Sequence, residues 1–399
     1  MIDPKVQSVP RLLLFSELYR PWVGGSVRWV EKIGEHWPVP ARVMCGLTPR
    51  GSAQHTDAGP TPVRRIRLRM ADWGVDSPDA AMQYGGAVLR LASACMGPQR
   101  PDLVLCGRGV PEGLIARLAG RISRVPYAPL VHGEEVVACG TSRQLRWMLR
   151  AAYGAAACVI CNSRHSEGLA CGAGARPDRI IVSHPGVEVR ASGALLSRRP
   201  GAPDGPVTLI TVGRFDERKN HAAVLRAVAR LRGEGLELRY IIAGDGPRRR
   251  HLMDLSHRLG LARCVTWIIG GSDEKIQSAY LEADIFVMPA VATGTDIEGF
   301  GIVYLEAALA ALPSIAGAHG GCKEAVLHEQ TGLIVDGDDD DGLARAIRTL
   351  ATDAGKRRRL GLAARDRARR EFDWPGLIHR LAGEVARVLG GQRSADEGR

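Results

Sequence analysis

Unbroken apolar runs recur along the chain, and stretches with helical spacing lie between them. Leu12-Leu13-Leu14-Phe15 opens the series, followed by residues 101–106, 126–133, 155–161 and 180–183. A Gly24-Gly25 turn leads into a helical pattern over 27–36, and another covers 142–153. Such alternation of apolar runs and helices predicts parallel α/β layers. From residue 190 to 206 the apolar pattern fades and Gly, Ser, Pro and Arg accumulate, the signature of a linker. A second series then begins, with runs at 207–213, 239–244, 264–269, 285–288, 314–316 and 332–335. Asp338 to Asp341 reads as a solvated acidic loop able to cap the next helix. An amphipathic helix covers 372–389, and the residues after Gly390 are polar and expected to fray. The division is therefore 1–195, 205–371 and a terminal helix at 372–390, with no internal sequence repeat.

Composition narrows the function. A chain of 399 residues that is 45% hydrophobic and 24% charged has room for two domains and is not a disordered one. Aromatic residues make up 5%, too few for stacking platforms along single-stranded nucleic acid. No apolar run approaches the roughly 18–20 residues of a membrane span. Met1-Ile2-Asp3-Pro4-Lys5 lacks the features of a signal peptide, so a cytoplasmic protein is expected. Nine scattered cysteines fit reduced thiols; Cys158 and Cys161 sit in a strand-like run, without partners at zinc-finger spacing.

Charge is unevenly spread. Residues 1–200 hold 26 Lys and Arg against 15 acids, and the remainder holds 28 against 28, so the whole net charge of +11 lies in the first half. An anionic partner of that half is implied, an acidic lipid surface or a phosphorylated acceptor before nucleic acid; ordinary solubility charge is the plain alternative. Arg143, Arg146 and Arg150 recur at helical spacing around Trp147, as in helices that lie on anionic membranes. Arg64-Arg65-Ile66-Arg67-Leu68-Arg69 alternates basic and apolar residues, as a strand with one charged face does.

The most informative string is Glu298-Gly299-Phe300-Gly301-Ile302-Val303-Tyr304-Leu305-Glu306. A buried-strand pattern precedes it, and an Ala/Leu-rich helix follows as far as Pro313. Strand, glycine loop and helix N-terminus together make an anion site. Two carboxylates at such a site must bind something other than phosphate, and sugar hydroxyls fit: a hexose at Glu298, a ribose at Glu306. The implied ligand is a sugar–diphosphate–nucleoside. Arg214 and Lys219 follow the strand-like 207–212 run and can neutralise a departing pyrophosphate. His132-Gly133 lies at a strand's C-terminal end, where open α/β sheets place their sites. The Gly24-Gly25 amides and the Gly244-Asp245-Gly246 turn are further contacts for phosphates, acceptor or nucleoside. Neither a Gly-x-Gly-x-x-Gly nor a Gly-x-x-x-x-Gly-Lys motif accompanies them.

These blocks, in this order, resemble the retaining glycosyltransferases of family 4. The signature is the Glu298–Glu306 pair, with Arg214 and Lys219, Gly244-Asp245-Gly246-Pro247, His132-Gly133-Glu134-Glu135 and Gly24-Gly25 in support. The resemblance implies two Rossmann-like domains facing a cleft (GT-B), with the terminal helix returning to the first domain. It implies front-face hexosyl transfer that retains anomeric configuration and needs neither metal nor cofactor. Arg214 and Lys219 would stabilise the leaving group, while His132 and Glu298 hold the hexose. Glu306 would hold the ribose, and Gly299, Phe300, Gly301 and Ile302 would face the diphosphate. The form of the string is closest to mannosyltransferases using GDP-mannose, including those acting on phosphatidylinositol mannosides. Expected acceptors are lipid-linked glycans, polysaccharide precursors or small molecules, met in the cytoplasm or on the inner face of the membrane. Glu134 and Glu135 are either acceptor contacts or solvated acids. A nucleotide-sugar epimerase and a non-catalytic nucleotide-sugar binder are the alternatives.

Overall fold

Leu12, Leu13, Leu14 and Phe15 are all buried because their strand is covered on both sides. Leu12 and Leu14 pack into one core, Leu13 and Phe15 into another, as alternate residues of a strand must. The computed structural model describes residues 9–22, 24–47, 61–68, 73–189, 205–294 and 296–397. Residues 1–5, Arg69 and most of the 190–206 stretch lie outside them. The chain divides into two α/β units, changing unit between Pro185 and Gly186 and again between Asp373 and Trp374.

In the first unit the elements run β1 (Leu12–Ser16), α1 (Gly25–His36), β2 (Arg42–Gly46), β3 (Val63–Ile66), α2 (Pro78–Met96), β4 (Leu103–Cys106), α3 (Leu114–Ser123) and β5 (Tyr127–Val131). They continue as α4 (Glu134–Cys139), α5 (Arg143–Gly154), β6 (Val159–Cys161), α6 (Arg164–Gly172) and β7 (Ile180–Val182). The strands form one parallel sheet in the order β3-β2-β1-β4-β5-β6-β7. The order reverses between β1 and β4, and open α/β sheets bind ligands at the C-terminal ends of such a pair.

The second unit runs β8 (Val207–Val212), α7 (His221–Gly233), β9 (Leu238–Gly244), α8 (Arg249–Arg258), β10 (Val265–Ile269), α9 (Asp273–Glu282) and β11 (Ile285–Met288). It ends with α10 (Ile302–Leu309), β12 (Ser314–Gly317), α11 (Cys322–Ala325), β13 (Gly332–Val335), α12 (Asp340–Thr352) and α13 (Ala354–Glu371). Its parallel sheet has the order β10-β9-β8-β11-β12-β13, reversing between β8 and β11. Asp339 caps α12 by accepting from the Gly342 N–H at 2.8 Å.

The last helix, α14 (Trp374–Glu397), belongs to the first unit. Its stripe of Trp374, Ile378, Leu381, Ala382, Val385 and Leu389 recurs at helical spacing and fills the core beside Trp29 and Ile33 of α1. The helix passes Gly390, where fraying is expected, and reaches Glu397, since nothing at Gly390-Gly391 stops a helix already anchored along its length. The strand expected over 155–161 is shorter, because only Val159–Cys161 pairs in the sheet. Trp374 is completely buried, so Trp374→Ala should destabilise the first unit by about 3–5 kcal/mol. Exposed Arg387→Ala on the same helix should stay within about 0.5 kcal/mol. Urea unfolding followed by circular dichroism separates the two.

Candidate active site

The predicted residues divide between the two units and lie at or beyond the C-terminal ends of their strands. In the second unit the loop after β8 carries Arg214, Arg218 and Lys219, and the loop after β11 carries Glu298. Backbone bonds lace the two together: the Val291 N–H donates to the Arg218 carbonyl at 2.9 Å. Arg218 donates through Nη1 to the Ile297 carbonyl at 2.9 Å and pairs through Nε with Asp296 at 3.3 Å. The Lys219 ammonium donates to Glu298 Oε2, and Arg218 Nη1 stands 4.0 Å from the same oxygen. Lys219 and Glu298 are both buried. Burial alone raises the Glu298 carboxyl, but Lys219 and then Arg218 outweigh it and hold the group below its ordinary value. Arg214 is exposed, and its guanidinium pairs with no carboxylate among the described residues.

Glycines make this packing possible. Gly320 has φ +65°, and a Cβ there would lie 2.0 Å from the Glu298 carbonyl oxygen. Gly244, φ +146°, meets the Gly213 carbonyl at the same distance, so the 244–246 turn serves loop-to-loop contact. Asp245 receives the Gly246 N–H at 2.8 Å and its side chain is half exposed. Gly299 and Phe300 are buried, with the Phe300 ring 5.8 Å from that of Phe372. Gly301, φ +89°, caps α10, so the N–H groups of Ile302 and Val303 open the first turn without helical acceptors. One turn further on, Glu306 accepts from the Tyr280 hydroxyl at 3.2 Å.

In the first unit His132 ends β5. Its Nε2 lies 2.9 Å from the Gly107 carbonyl. A carbonyl only accepts, so Nε2 carries the hydrogen of this bond, and in the neutral ring Nδ1 is the acceptor. The Trp29 ring meets the imidazole edge-on at 5.4 Å. Glu135 accepts the His132 backbone N–H at 2.9 Å and is buried, which pushes its carboxyl up. It is therefore a cap inside the fold, neither solvated nor an acceptor contact; Glu134 is exposed. Gly24 and Gly25 are exposed at the start of α1. Gly24 has extended backbone, and a Cβ there would meet nothing within 4 Å.

Several groups escape sequence reasoning. At the switch point between β1 and β4, Arg108 pairs with Glu17 at 3.3 Å and with Glu112 at 3.8 Å, while the Glu17 N–H donates to Glu112 at 2.8 Å. The guanidinium also lies 5.0 Å from the centre of the Trp73 ring. Burial acts to lower the Arg108 pKa, but Glu112 and Glu17 raise it, so the charge is secure. Arg218 lies between the two predicted cations with no role assigned from sequence, and Tyr280 carries no local signal. Cys139, Cys158 and Cys161 are buried thiols.

Two α/β units of this plan have the GT-B fold of glycosyltransferases. The Anabaena HepE protein, solved with UDP and glucose, superposes with a TM-score of 0.74 at 20% identity, covering 94% of this chain and 99% of that one. Sucrose-phosphate synthase from Thermosynechococcus elongatus superposes at 0.73 with 21% identity over 96% of this chain and 100% of that one. Residues 195–367 match the family model described as glycosyl transferases group 1. The GDP-mannose-dependent alpha-(1-6)-phosphatidylinositol monomannoside mannosyltransferase of Mycolicibacterium smegmatis is 31% identical over 75% of this chain and 79% of its own length. A D-inositol 3-phosphate glycosyltransferase of Stackebrandtia nassauensis is 35% identical over 52% of this chain and 49% of its own. The chain belongs to the group 1 glycosyltransferases.

Two predictions follow from the packing of the second unit. Gly320→Ala should cost roughly 2–4 kcal/mol, read as a lower melting temperature, because the Glu298 backbone must move. His221, first residue of α7, is buried with both ring nitrogens unpartnered among the described residues and its ring 5.2 Å from Phe215. Burial, and then Lys219, lower its pKa to about 3. Its folded value lies below the ordinary 6.5, so its contribution is whole above that pH and shrinks as pH falls toward 3. Stability of His221→Phe should therefore fall less steeply than wild type between those values in urea titrations.

Proposed function

We propose that the chain is a retaining hexosyltransferase that takes mannose from GDP-mannose and works without a bound metal. The observation that carries the reading is the buried Lys219–Glu298 pair at the switch point of the second unit, with the exposed Arg214 on the same loop as Lys219. A lysine ammonium has three N–H donors, and one is committed to Glu298. The others, with Arg214, are available to a diphosphate, whose charge grows as the anomeric C–O bond breaks. Arg218, 4.0 Å from the carboxylate oxygen that Lys219 holds, helps keep Glu298 ionised. Glu298, held ionised, accepts hydroxyls of the hexose. Glu306, oriented by Tyr280, accepts those of the ribose, and backbone N–H groups from Gly299 to Ile302 face the phosphates.

His132 presents Nδ1 as an acceptor to a hexose hydroxyl and leaves proton transfer to others. The acceptor hydroxyl attacks on the face from which the diphosphate leaves. Its proton passes to a departing phosphate oxygen, and the new glycosidic bond keeps the donor's configuration. Similarity to a mannosyltransferase acting on a phosphatidylinositol monomannoside supports mannose and a lipid-linked or glycan acceptor. The Gly24-Gly25 amides would contact phosphates or the acceptor, and Gly244-Asp245 would flank the nucleoside. We place this work in the cytoplasm, on the inner face of the cell membrane, where a water-borne donor meets a lipid acceptor; among the described residues no helix is long and apolar enough to cross a membrane. Nucleic acid has no part in it.

A donor panel scored by mass spectrometry tests the reading, with GDP release from GDP-mannose expected to exceed release from UDP-sugars. Arg214→Ala and Lys219→Ala should each lower kcat about 10²–10³-fold, and Glu306→Gln should act mainly on the donor KM. Full turnover in chelator supports independence from metal. Isomerised donor without acceptor would make the chain an epimerase. Donor binding without turnover on any acceptor would make it a binder.

A further inference from the structure

The outer surface of one helix layer in the first unit is unlike the rest of the molecule. Helices α2, α3 and α5 pack side by side over the sheet face lined by Leu13, Phe15, Val104 and Cys106. Seven large hydrophobic side chains are exposed among the described residues, and six stand on these three helices. Met82, Leu89 and Met96 recur every seventh residue and form one line along α2. Leu118 and Ile122 continue the patch on α3, and Trp147, 67% exposed, stands on α5. Exposed Arg143, Arg146 and Arg150 surround Trp147, and exposed Arg90 and Arg121 carry the charge across the other two helices. The one acid on the three helices is Asp79, in the first turn of α2, where it accepts from Gln83.

Scattered exposed hydrophobics are ordinary, whereas a set continuous over neighbouring helices marks an interaction surface. We propose that the α2–α3–α5 face seats on an anionic lipid bilayer. Trp147 and the Met82–Leu89–Met96 line enter the boundary between headgroups and acyl chains, and the five arginines engage lipid phosphates. Charge selects this occupant. A second copy docked through the same patch would lay five arginines against five, with Asp79 as the lone counter-charge. A nucleic acid would use the arginines but leave the apolar line on α2 without a partner. The net charge of +11 carried by residues 1–200 attracts the same surface from a distance. The proposal names the surface behind the membrane placement above, and it is read without any sugar donor, so its failure leaves the transferase reading standing.

Flotation of the full chain with vesicles of phosphatidylcholine alone, or with about a third phosphatidylglycerol, tests it. Binding to the anionic vesicles, weakening as salt rises, is expected. Arg143→Glu, Arg146→Glu and Arg150→Glu together should weaken that binding at least about tenfold with an unchanged melting temperature. Brominated acyl chains should quench fluorescence in wild type, and Trp147→Phe should remove most of the quenching. Should the triple variant fold poorly, Met82→Ser with Leu89→Ser tests the apolar line without altering charge, and weaker flotation is expected again. Equal binding to both vesicle types, no binding, or quenching that persists in Trp147→Phe overturns the proposal. So does a dimer in solution that Leu89→Asp dissolves.

Discussion

Lys219 and Glu298 are both nearly shut off from water, and a lone charge in either place would be untenable. Paired, they tie the loop after β8 to the loop after β11, the two strands flanking the reversal of the second sheet. Removing either partner would strand the other, so the contact between the two loops is locked in place. Arg218 reinforces it with a backbone acceptor at Ile297 and a second carboxylate at Asp296. Gly320 permits the close approach of backbone that lets Glu298 reach inward. Arg214, on the same loop as Lys219, is left exposed.

The two sheets share a plan and differ in what they place at the point of reversal. In the second unit, Lys219 and Arg218 converge on Glu298, with Asp216 and Asp296 on the far side of the Arg218 guanidinium. In the first, Glu17 and Glu112 enclose Arg108, and His132 presents a lone pair. Under the proposed reaction, the first arrangement would meet the group that becomes more anionic as it departs. The second suits hydroxyls, which can donate to carboxylates and to an imidazole nitrogen without bringing net charge. That contrast comes from side chains alone, since the backbones supply the same strand ends in both units.

What could be read from the sequence was local. The string from Glu298 to Glu306 announces itself because strand, glycine turn and helix start are contiguous, and β8 with its following cations is likewise one short segment. The alternation of layers was legible because buried parallel strands are apolar throughout. Arg108 and Glu17 stand 91 residues apart and meet only once β1 and β4 are neighbours, so no spacing rule could pair them. The tautomer of His132 depends on the Gly107 carbonyl, 25 residues away. From sequence Glu135 reads as an acceptor contact or a solvated acid, yet the turn of Gly133, φ +106°, folds it inward onto the backbone of His132. The apolar line on α2 was invisible for a different reason. In a helix apolar on two faces, the pattern alone cannot say which face the sheet covers.

The first unit is built from two separated stretches of chain, with α14 contributing Trp374 to a core whose strands end at Val182. On a ribosome, strands made early must wait for a helix made last, while the whole intervening unit emerges in between. At roughly 5–20 residues per second, that interval spans about ten seconds or more. During it the hydrophobic seat for α14 lies open beside Trp29 and Ile33. The part begun first is thus the part finished last, and the nascent enzyme depends on its later-made half closing before its earlier-made half can.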